Sequence, residues 1–242
     1  MGRSMHRHSY RLHLGCLCLL GWILVACTPK STLWRAYLNE GITFYRQGRY
    51  DQAEQMYRAA LREVEPFGAE DPRRAMILHN LALLYKTQKR YAEAESFYKQ
   101  AIAIDEKALG LDHPSLATSL NNLALLYKAQ GRYEEAESLY RWALRIREKA
   151  LGPEHPDVAS TLNNLAELYT AQGKFAQAEP LYQRALAIWE HTLGPQHPYV
   201  AVGLENYADL LRKMQREEEA RRLEARAQTI WTRYRQQNPP TR

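Results

Sequence analysis

The sequence predicts an all-α protein, a superhelical solenoid of about five helix pairs that ends in a charged C-terminal capping helix. Two observations lead to this fold class. From Leu78 the chain repeats itself, and Leu120 and Leu162 mark the next copies, each 42 residues after the last. Within each copy the apolar residues recur at helical spacing, and a period of this length is typical of stacked helical units.

The composition excludes disordered and collagen-like chains. Of 242 residues, 45% are hydrophobic, and 16 Tyr and 5 Trp supply large side chains for a core. The formal net charge of +6 and the three Cys would by themselves suggest a nucleic acid, a disulfide or a metal site. All three Cys and three of the Arg lie within the first 27 residues, with no acidic residue among them. Without residues 1–26 the charge falls from +6 to +3, so we expect no nucleic-acid partner.

The N-terminus is organised like a signal peptide. A basic stretch of 11 residues precedes an apolar run that ends at Cys27 and is shorter than the roughly 20 residues of a membrane-spanning helix. Its last residues, Leu24-Val25-Ala26-Cys27, resemble the lipobox of bacterial lipoproteins. The resemblance implies that residues 1–26 are removed, that Cys27 carries the lipid, and that Thr28 directs the protein to the periplasmic face of the outer membrane. A plain secretory signal and an uncleaved short anchor remain alternatives.

Residues 27–33 are predicted to form a short tether between the lipid and the first helix. An extended chain spans at most about 3.6 Å per residue, so the first repeat would lie within roughly 20 Å of the bilayer. We expect Ser31 or Thr32 to cap that helix.

The solenoid is predicted over residues 34–235, followed by a disordered tail at 236–242. In the third unit, Leu120, Ala124 and Tyr127 form one apolar stripe, and a second helix begins after Gly131. Between units, the loop LG-x-x-HP supplies a Gly suited to a helix end and a Pro suited to the first position of the next helix. The predicted units are 34–74, 75–116, 117–158, 159–200 and 201–235.

The repeated pattern is a small residue, an aromatic three later, and then Gly, aromatic, Ala, aromatic and Ala at constant steps. This pattern resembles the tetratricopeptide repeat, and the segments NNLALLY and LGPEHPDVA resemble the kinesin light chain variety, over roughly Trp34 to Ile230. The resemblance implies a right-handed superhelix whose concave groove binds a peptide. The fifth unit departs from the pattern with Leu211, Glu217 and Glu224, and a terminal cap requires such a solvated last helix.

Nothing in the repeats predicts catalysis, a cofactor or a small-molecule substrate. The chain has no P-loop, Gly-rich phosphate cradle or nucleophile elbow. Equivalent positions of stacked helices lie about 8–10 Å apart, too far to share one metal ion. We therefore expect the repeated histidines to start helices, and the acidic residues of YEEAE to face solvent at a helix start. These residues are His113, His155 and His197, and Glu134, Glu135 and Glu137.

The resemblance places the peptide groove on the exposed face of the first helix of each unit. An Asn amide can bond to a peptide backbone without reading its sequence. Lys beside Leu would suit an apolar anchor flanked by acidic residues, which is the partner chemistry that we predict. Alternatively, the Asn that recurs in all five units holds neighbouring helices together. The candidate groove residues are Asn80, Leu83, Lys86, Asn121, Asn122, Leu125, Lys128, Asn163, Asn164 and Arg212.

These features together predict a lipid-anchored envelope lipoprotein that acts as a scaffold for a protein or peptide partner. Resemblance to small tetratricopeptide lipoproteins suggests roles such as assembling secretion or pilus pores, or tethering cell-wall enzymes, and does not choose among them. A cytoplasmic scaffold with an unprocessed signal, a non-catalytic subunit of a cell-wall enzyme complex and a self-associating array remain alternatives.

Overall fold

The computed structural model describes residues 30–238, and this part of the chain is entirely helical apart from short loops. A single turn of 3-10 helix at Glu65–Phe67 follows the second helix. The helices are α1 (Lys30–Arg46), α2 (Tyr50–Val64), α3 (Pro72–Thr87), α4 (Tyr91–Leu109), α5 (Pro114–Ala129), α6 (Tyr133–Leu151), α7 (Pro156–Ala171), α8 (Phe175–Leu193), α9 (Pro198–Lys213) and α10 (Glu217–Gln237).

The ten helices of the described residues form five pairs, as the sequence predicts. Each odd-numbered helix packs most extensively against the even-numbered helix that follows it, and each pair then packs against the next. The charged C-terminal helix is α10, with three acidic residues in its first turn. It is the second member of the fifth pair, so the end of the solenoid is capped by its own last repeat.

Proline and histidine begin the first helix of a pair. Pro114, Pro156 and Pro198 occupy the first helical position, where a missing N–H removes no hydrogen bond. Each preceding His caps the helix because its Nδ1 accepts a backbone N–H two residues later, at 3.1 to 3.2 Å. The predicted role of the histidines is confirmed. The helices begin three residues before the predicted unit boundaries at 75, 117, 159 and 201, because the first turn starts at Pro.

The core alternates small and large side chains along the even-numbered helices. Ala136 and Ala178 are fully buried where two helices approach closely, and Tyr140 and Tyr182 fill the space beside them. Burial raises the pKa of Tyr57, at the equivalent position of α2, to about 12. The alternation that the sequence predicts therefore extends through the stack in one large core cluster, and four buried residues between α3 and α4 form a second, smaller one.

The two ends of the solenoid are longer than the sequence predicts. Helix α1 begins at Lys30, so the last residues of the predicted tether are helical, and Ser31 and Thr32 lie inside the helix instead of capping it. Helix α10 continues to Gln237, and Asn238 donates from Nδ2 to the carbonyl of Tyr234 at 3.0 Å. Both segments continue as helix because neither contains the Gly or Pro that would stop it.

The predicted signal peptide and Cys27 lie outside the described residues. Among the helices from Lys30 onward, none combines the length and the apolar character that crossing a bilayer requires.

The hydroxyl of Tyr140 gives a direct test of the core. It is buried and has no hydrogen-bond partner within the described residues, so Tyr140→Phe should raise the free energy of unfolding by about 1 kcal/mol. The matched control is Tyr169→Phe, because the Tyr169 hydroxyl donates to Glu137 and accepts from Arg141. We expect that variant to lose about 1–2 kcal/mol in urea unfolding. Equal losses in both variants would contradict this packing.

Candidate peptide-binding groove

The odd-numbered helices line the inner, concave side of the stack. Among the described helices, α1, α3, α5 and α7 each contact the next odd-numbered helix directly, whereas successive even-numbered helices are farther apart. In a curved stack the more closely spaced helices lie on the inside. We therefore define the groove as the face of α3, α5, α7 and α9 that points away from the even-numbered helices, on the concave side of the stack. The resemblance predicts the groove at the same place.

The repeated Asn side chains form a ladder of hydrogen bonds between successive repeats. Asn164 donates from Nδ2 to Oδ1 of Asn121 at 3.1 Å, and Asn206 donates to Oδ1 of Asn163 at 3.3 Å. Nδ2 of Asn122 lies 2.9 Å from Nε2 of His79. These amides hold neighbouring helices together, which is the structural role that the alternative interpretation gives them. Asn206 and His79 join the ladder although neither was among the ten candidates.

The sequence predicts that Asn121 and Asn163 contact a peptide directly, whereas the structure buries both side chains. Their exposed fractions are only 8% and 5%, and each amide oxygen already accepts a rung of the ladder. Their burial follows from the close approach of the next helix. Asn80 forms no rung, since the preceding repeat has Leu38 at the matching position, and its Nδ2 donates instead to the carbonyl of Met76.

Two of the three predicted cations are already paired within the chain. Nζ of Lys128 lies 2.9 Å from Oε1 of Glu167 in the next repeat. Arg212 bonds to both carboxylate oxygens of Glu224 on α10. The prediction that Lys128 supplies positive charge to a ligand is corrected, because it meets an acid of the next repeat. Arg212, predicted only to line the groove, is paired as well.

Lys86 is the remaining predicted cation. No carboxylate of the described residues lies within ion-pair distance of it, and burial, with the nearby Lys128, lowers its pKa. Leu83, one turn earlier, and Leu125 in the next repeat are half-buried. The same row begins with Ile42 and continues with Glu167 and Asp209, so its apolar part lies in the first three repeats. Lys86, Leu83 and Leu125 thus form a short apolar stretch with one cation beside it.

His79 contributes no charge to the groove near neutral pH. Burial, together with the nearby Lys86, lowers its pKa to about 4. Its ring packs edge-on against Tyr98, with centroids 5.5 Å apart.

A second set of contacts, which the sequence analysis missed, joins each repeat to the next. A tyrosine of an odd-numbered helix donates its hydroxyl to a glutamate of the preceding repeat, and a cation pairs with the same glutamate. The tyrosine lies near the end of α3, α5 and α7, and one turn earlier in α9, where Leu211 stands at the equivalent position. We call each such group a tyrosine–glutamate joint. The pairs are Tyr85–Glu54, Tyr127–Glu95, Tyr169–Glu137 and Tyr207–Glu179, at 2.6 to 3.0 Å.

The joint at Tyr127 illustrates the arrangement. Arg132 lies over the Tyr127 ring, 3.8 Å from its centroid, and donates to Glu95 at 2.7 Å. Lys99 also reaches Glu95, at 2.7 Å. Glu137, expected to face solvent, belongs to the next joint, and the sequence signal for the set is the glutamate directly after the first buried Ala of each second helix.

The fold and the groove define a helical-repeat protein that presents a concave surface to a partner. The family model described as tetratricopeptide repeat matches residues 33–107, 73–149, 115–190 and 157–233, and the chain belongs to this family. A search of curated proteins found no match.

Solved structures support the same fold. BtubC (BKLC) from P. vanneervenii is 23% identical, with a TM-score of 0.70 over 89% of this chain and 96% of that one. A kinesin light chain-like repeat protein of Podosopora anserina is 25% identical, with a TM-score of 0.71 over 86% and 99%. A Rap protein in complex with competence and sporulation factor is 18% identical, with a TM-score of 0.69 over 85% and 56%.

The shared architecture is that of a protein-interaction scaffold, which is typically non-catalytic. Between Lys30 and Asn238, no group of three or more His, Cys, Asp or Glu side chains is arranged to hold a metal ion.

The tyrosine–glutamate joints predict how stability depends on pH. Burial alone would raise the pKa of Glu95, but hydrogen bonds from Lys99, Arg132 and Tyr127 outweigh it and lower the pKa to about 2. The unfolded value is near 4.5. The ionised joint therefore stabilises the fold fully above about pH 4.5, and this contribution disappears as the pH falls toward 2.

Urea unfolding of Glu95→Gln should accordingly show a smaller loss of stability between pH 5 and about 2.5 than wild type. Glu134→Gln, at an exposed carboxylate, is the matched control and should keep the wild-type slope. A Glu95→Gln slope identical to that of wild type would contradict the joint.

Proposed function

We propose that the protein is a scaffold whose groove binds an extended segment of a partner protein through an apolar side chain with an acidic residue beside it. The observation that carries this is the apolar stretch at Leu83 and Leu125 next to Lys86. The half-buried ammonium of Lys86 has no carboxylate partner within the described residues, so a carboxylate of the partner protein would stabilise it. An ion pair that is partly shielded from water is stronger than one on the surface.

The ladder supports binding of the peptide backbone. Its rungs use one N–H group of Asn122 and of Asn164, and each amide retains an Oδ1 that can accept a backbone N–H. Because the amides are held by their neighbours, little rotamer entropy is lost when the peptide arrives.

Charge along the groove gives the partner segment a direction. The apolar stretch and Lys86 lie in the second and third repeats, whereas the exposed Glu205 lies in the fifth and has no ion-pair partner among the described residues. An acidic residue of the partner would be repelled from the fifth repeat. The segment is therefore proposed to place its acidic side toward the N-terminal repeats.

We further propose that the scaffold is held at the periplasmic face of the outer membrane by lipid on Cys27. The support is the Leu24–Cys27 pattern followed by Thr28. Helix α1 begins three residues after Cys27, so the first repeat would lie within about 11 Å of the lipidated residue. More than one acyl chain is needed for stable anchoring.

A lipid-anchored scaffold of this kind would assemble or tether proteins of the envelope, such as secretion or pilus pores or cell-wall enzymes. A cytoplasmic scaffold and a non-catalytic subunit of a cell-wall enzyme complex are the competing functions. Lipid on the chain would exclude the cytoplasmic scaffold. The identity of the captured partner would show whether the protein is a subunit of a cell-wall enzyme complex.

Photo-crosslinking tests the groove. A photoreactive amino acid at position 83 should capture a partner in intact cells, and the additional change Lys86→Glu should lower the yield of that adduct by about tenfold, because one charge-assisted pair is lost. Arg62→Glu makes the same change of charge at an exposed residue of α2, and it should leave the yield unchanged. Equal yields in the two variants would rule out this groove.

Metabolic labelling tests the anchor. Cells given radioactive palmitate should label the wild-type chain and not Cys27→Ala, and the wild-type chain should fractionate with the outer membrane. A Cys18→Ala variant serves as control and should be labelled normally. Equal labelling of wild type and Cys27→Ala would overturn the lipid anchor.

A further inference from the structure

A cleft of about 500 Å³ borders the groove at its N-terminal end. It lies between the first turns of α3 and α5, the end of α4, and Trp34 and Arg35 of α1. His79 and Asn80 line both the cleft and the groove, so the two are continuous.

An aspartate without a cation partner lines this cleft. Asp105 is 5% exposed, and its Oδ2 accepts a hydrogen bond from the Ser119 hydroxyl at 3.3 Å. Within the described residues no basic side chain pairs with it, since Arg73 at the rim is bound to Asp71 and Arg35 lies over the Trp34 ring. Burial raises the pKa of Asp105, although the Ser119 hydrogen bond and the nearby His113 act in the opposite direction, so the carboxylate is only partly compensated.

The next repeat shows what fills the same place elsewhere in the chain. Arg147 occupies the position equivalent to Asp105, and it too is buried. Its Nη1 donates to the carbonyl of Asp157 at 2.9 Å and to the Thr161 hydroxyl at 2.7 Å. The matching groups in the cleft are the carbonyl of Ser115 and the hydroxyl of Ser119.

The fourth repeat fills the position in a different way. Trp189 is buried there, and its Nε1 donates to the carbonyl of Pro156 at 3.2 Å. Gly203 stands where the other repeats have Ser119 and Thr161, and a Cβ on it would lie 2.9 Å from the Trp189 ring. The chain thus fills the position with a large side chain in two repeats and leaves it open, above an acid, in one.

We propose that the cleft at Asp105 receives an arginine side chain of the partner protein, whose guanidinium takes the place that the Arg147 guanidinium has one repeat later. The guanidinium donates to the carbonyl of Ser115 and the hydroxyl of Ser119, as Arg147 does to their counterparts, and pairs with the Asp105 carboxylate. Arginine fits better than lysine because its planar group supplies several donors at once. The inference rests on the proposed function, in that the arginine belongs to the segment bound in the groove.

The test uses the peptide acetyl-Ala-Arg-Ala-amide, titrated into the labelled protein while the backbone amides of Ser115 and Ser119 are followed by NMR. The matched probe carries citrulline in place of arginine, which keeps the shape and removes the charge. We expect the arginine peptide to bind at millimolar concentration and the citrulline peptide to bind about tenfold more weakly. Equal affinity, or no shift at these amides, would overturn the proposal.

Two variants test the position of the site. Asp105→Asn should weaken the arginine peptide about tenfold, and Asp105→Arg should abolish binding because its own guanidinium fills the cleft as Arg147 does. Asp209→Asn, at an exposed carboxylate of α9, should leave binding unchanged. Full affinity in Asp105→Arg, with its melting temperature retained, would disprove the site, and the comparison of the two peptides on wild type stands even if a variant fails to fold.

The same titration separates this inference from the proposed function. Lys86→Glu should lower partner capture by about tenfold and leave arginine-peptide affinity within about twofold of wild type. Peptide binding without groove-dependent capture would refute the groove and support the cleft. Groove-dependent capture without peptide binding would refute the cleft alone.

Discussion

From the second repeat onward, the spacing of successive repeats depends on two polar contacts between each repeat and the next. On the groove side an amide rung connects the odd-numbered helices, as from Asn164 to Asn121. Five residues later on the same helix, Tyr169 donates to Glu137 of the preceding repeat. The two contacts lie about 7.5 Å apart along the helix axis, so together they restrict both the distance and the rotation between neighbouring pairs. Apolar packing alone is non-directional and would leave that rotation less well defined.

This arrangement explains why the groove has so few side chains available to a ligand. Residues that the helical pattern places on the concave face also lie close to the next repeat, and the joint uses several of them. Lys128 pairs with Glu167, and Asn121 is buried beneath the following helix. What remains for a partner is the short stretch around Leu83 and Lys86, and this concentrates recognition at the N-terminal repeats, beside the proposed lipid anchor.

The chemistry that distinguishes this protein lies where the repeats differ. The glutamate of the joints is kept in all four, and the tyrosine keeps one position in three of them, whereas Tyr207 lies four residues before Leu211, which stands at that position in α9. The position occupied by Asp105, Arg147 and Trp189 changes each time, and the residue 14 positions later changes with it in size. A repeat protein can vary such a position without altering its neighbours' spacing, because each unit contacts only the adjacent ones.

The sequence by itself determined the number of helix pairs, the helix starts at Pro and His, and the buried pattern of Ala and Tyr. These features depend on local backbone preferences and on a period that is read directly from the chain. It placed the candidate groove residues on the first helix of each pair, but it did not reveal that Lys128 and Arg212 pair with acids or that Asn121 is buried. Only the tertiary structure decided their roles, because their partners lie in the next helix or repeat, and which atoms meet depends on the angle between stacked helices.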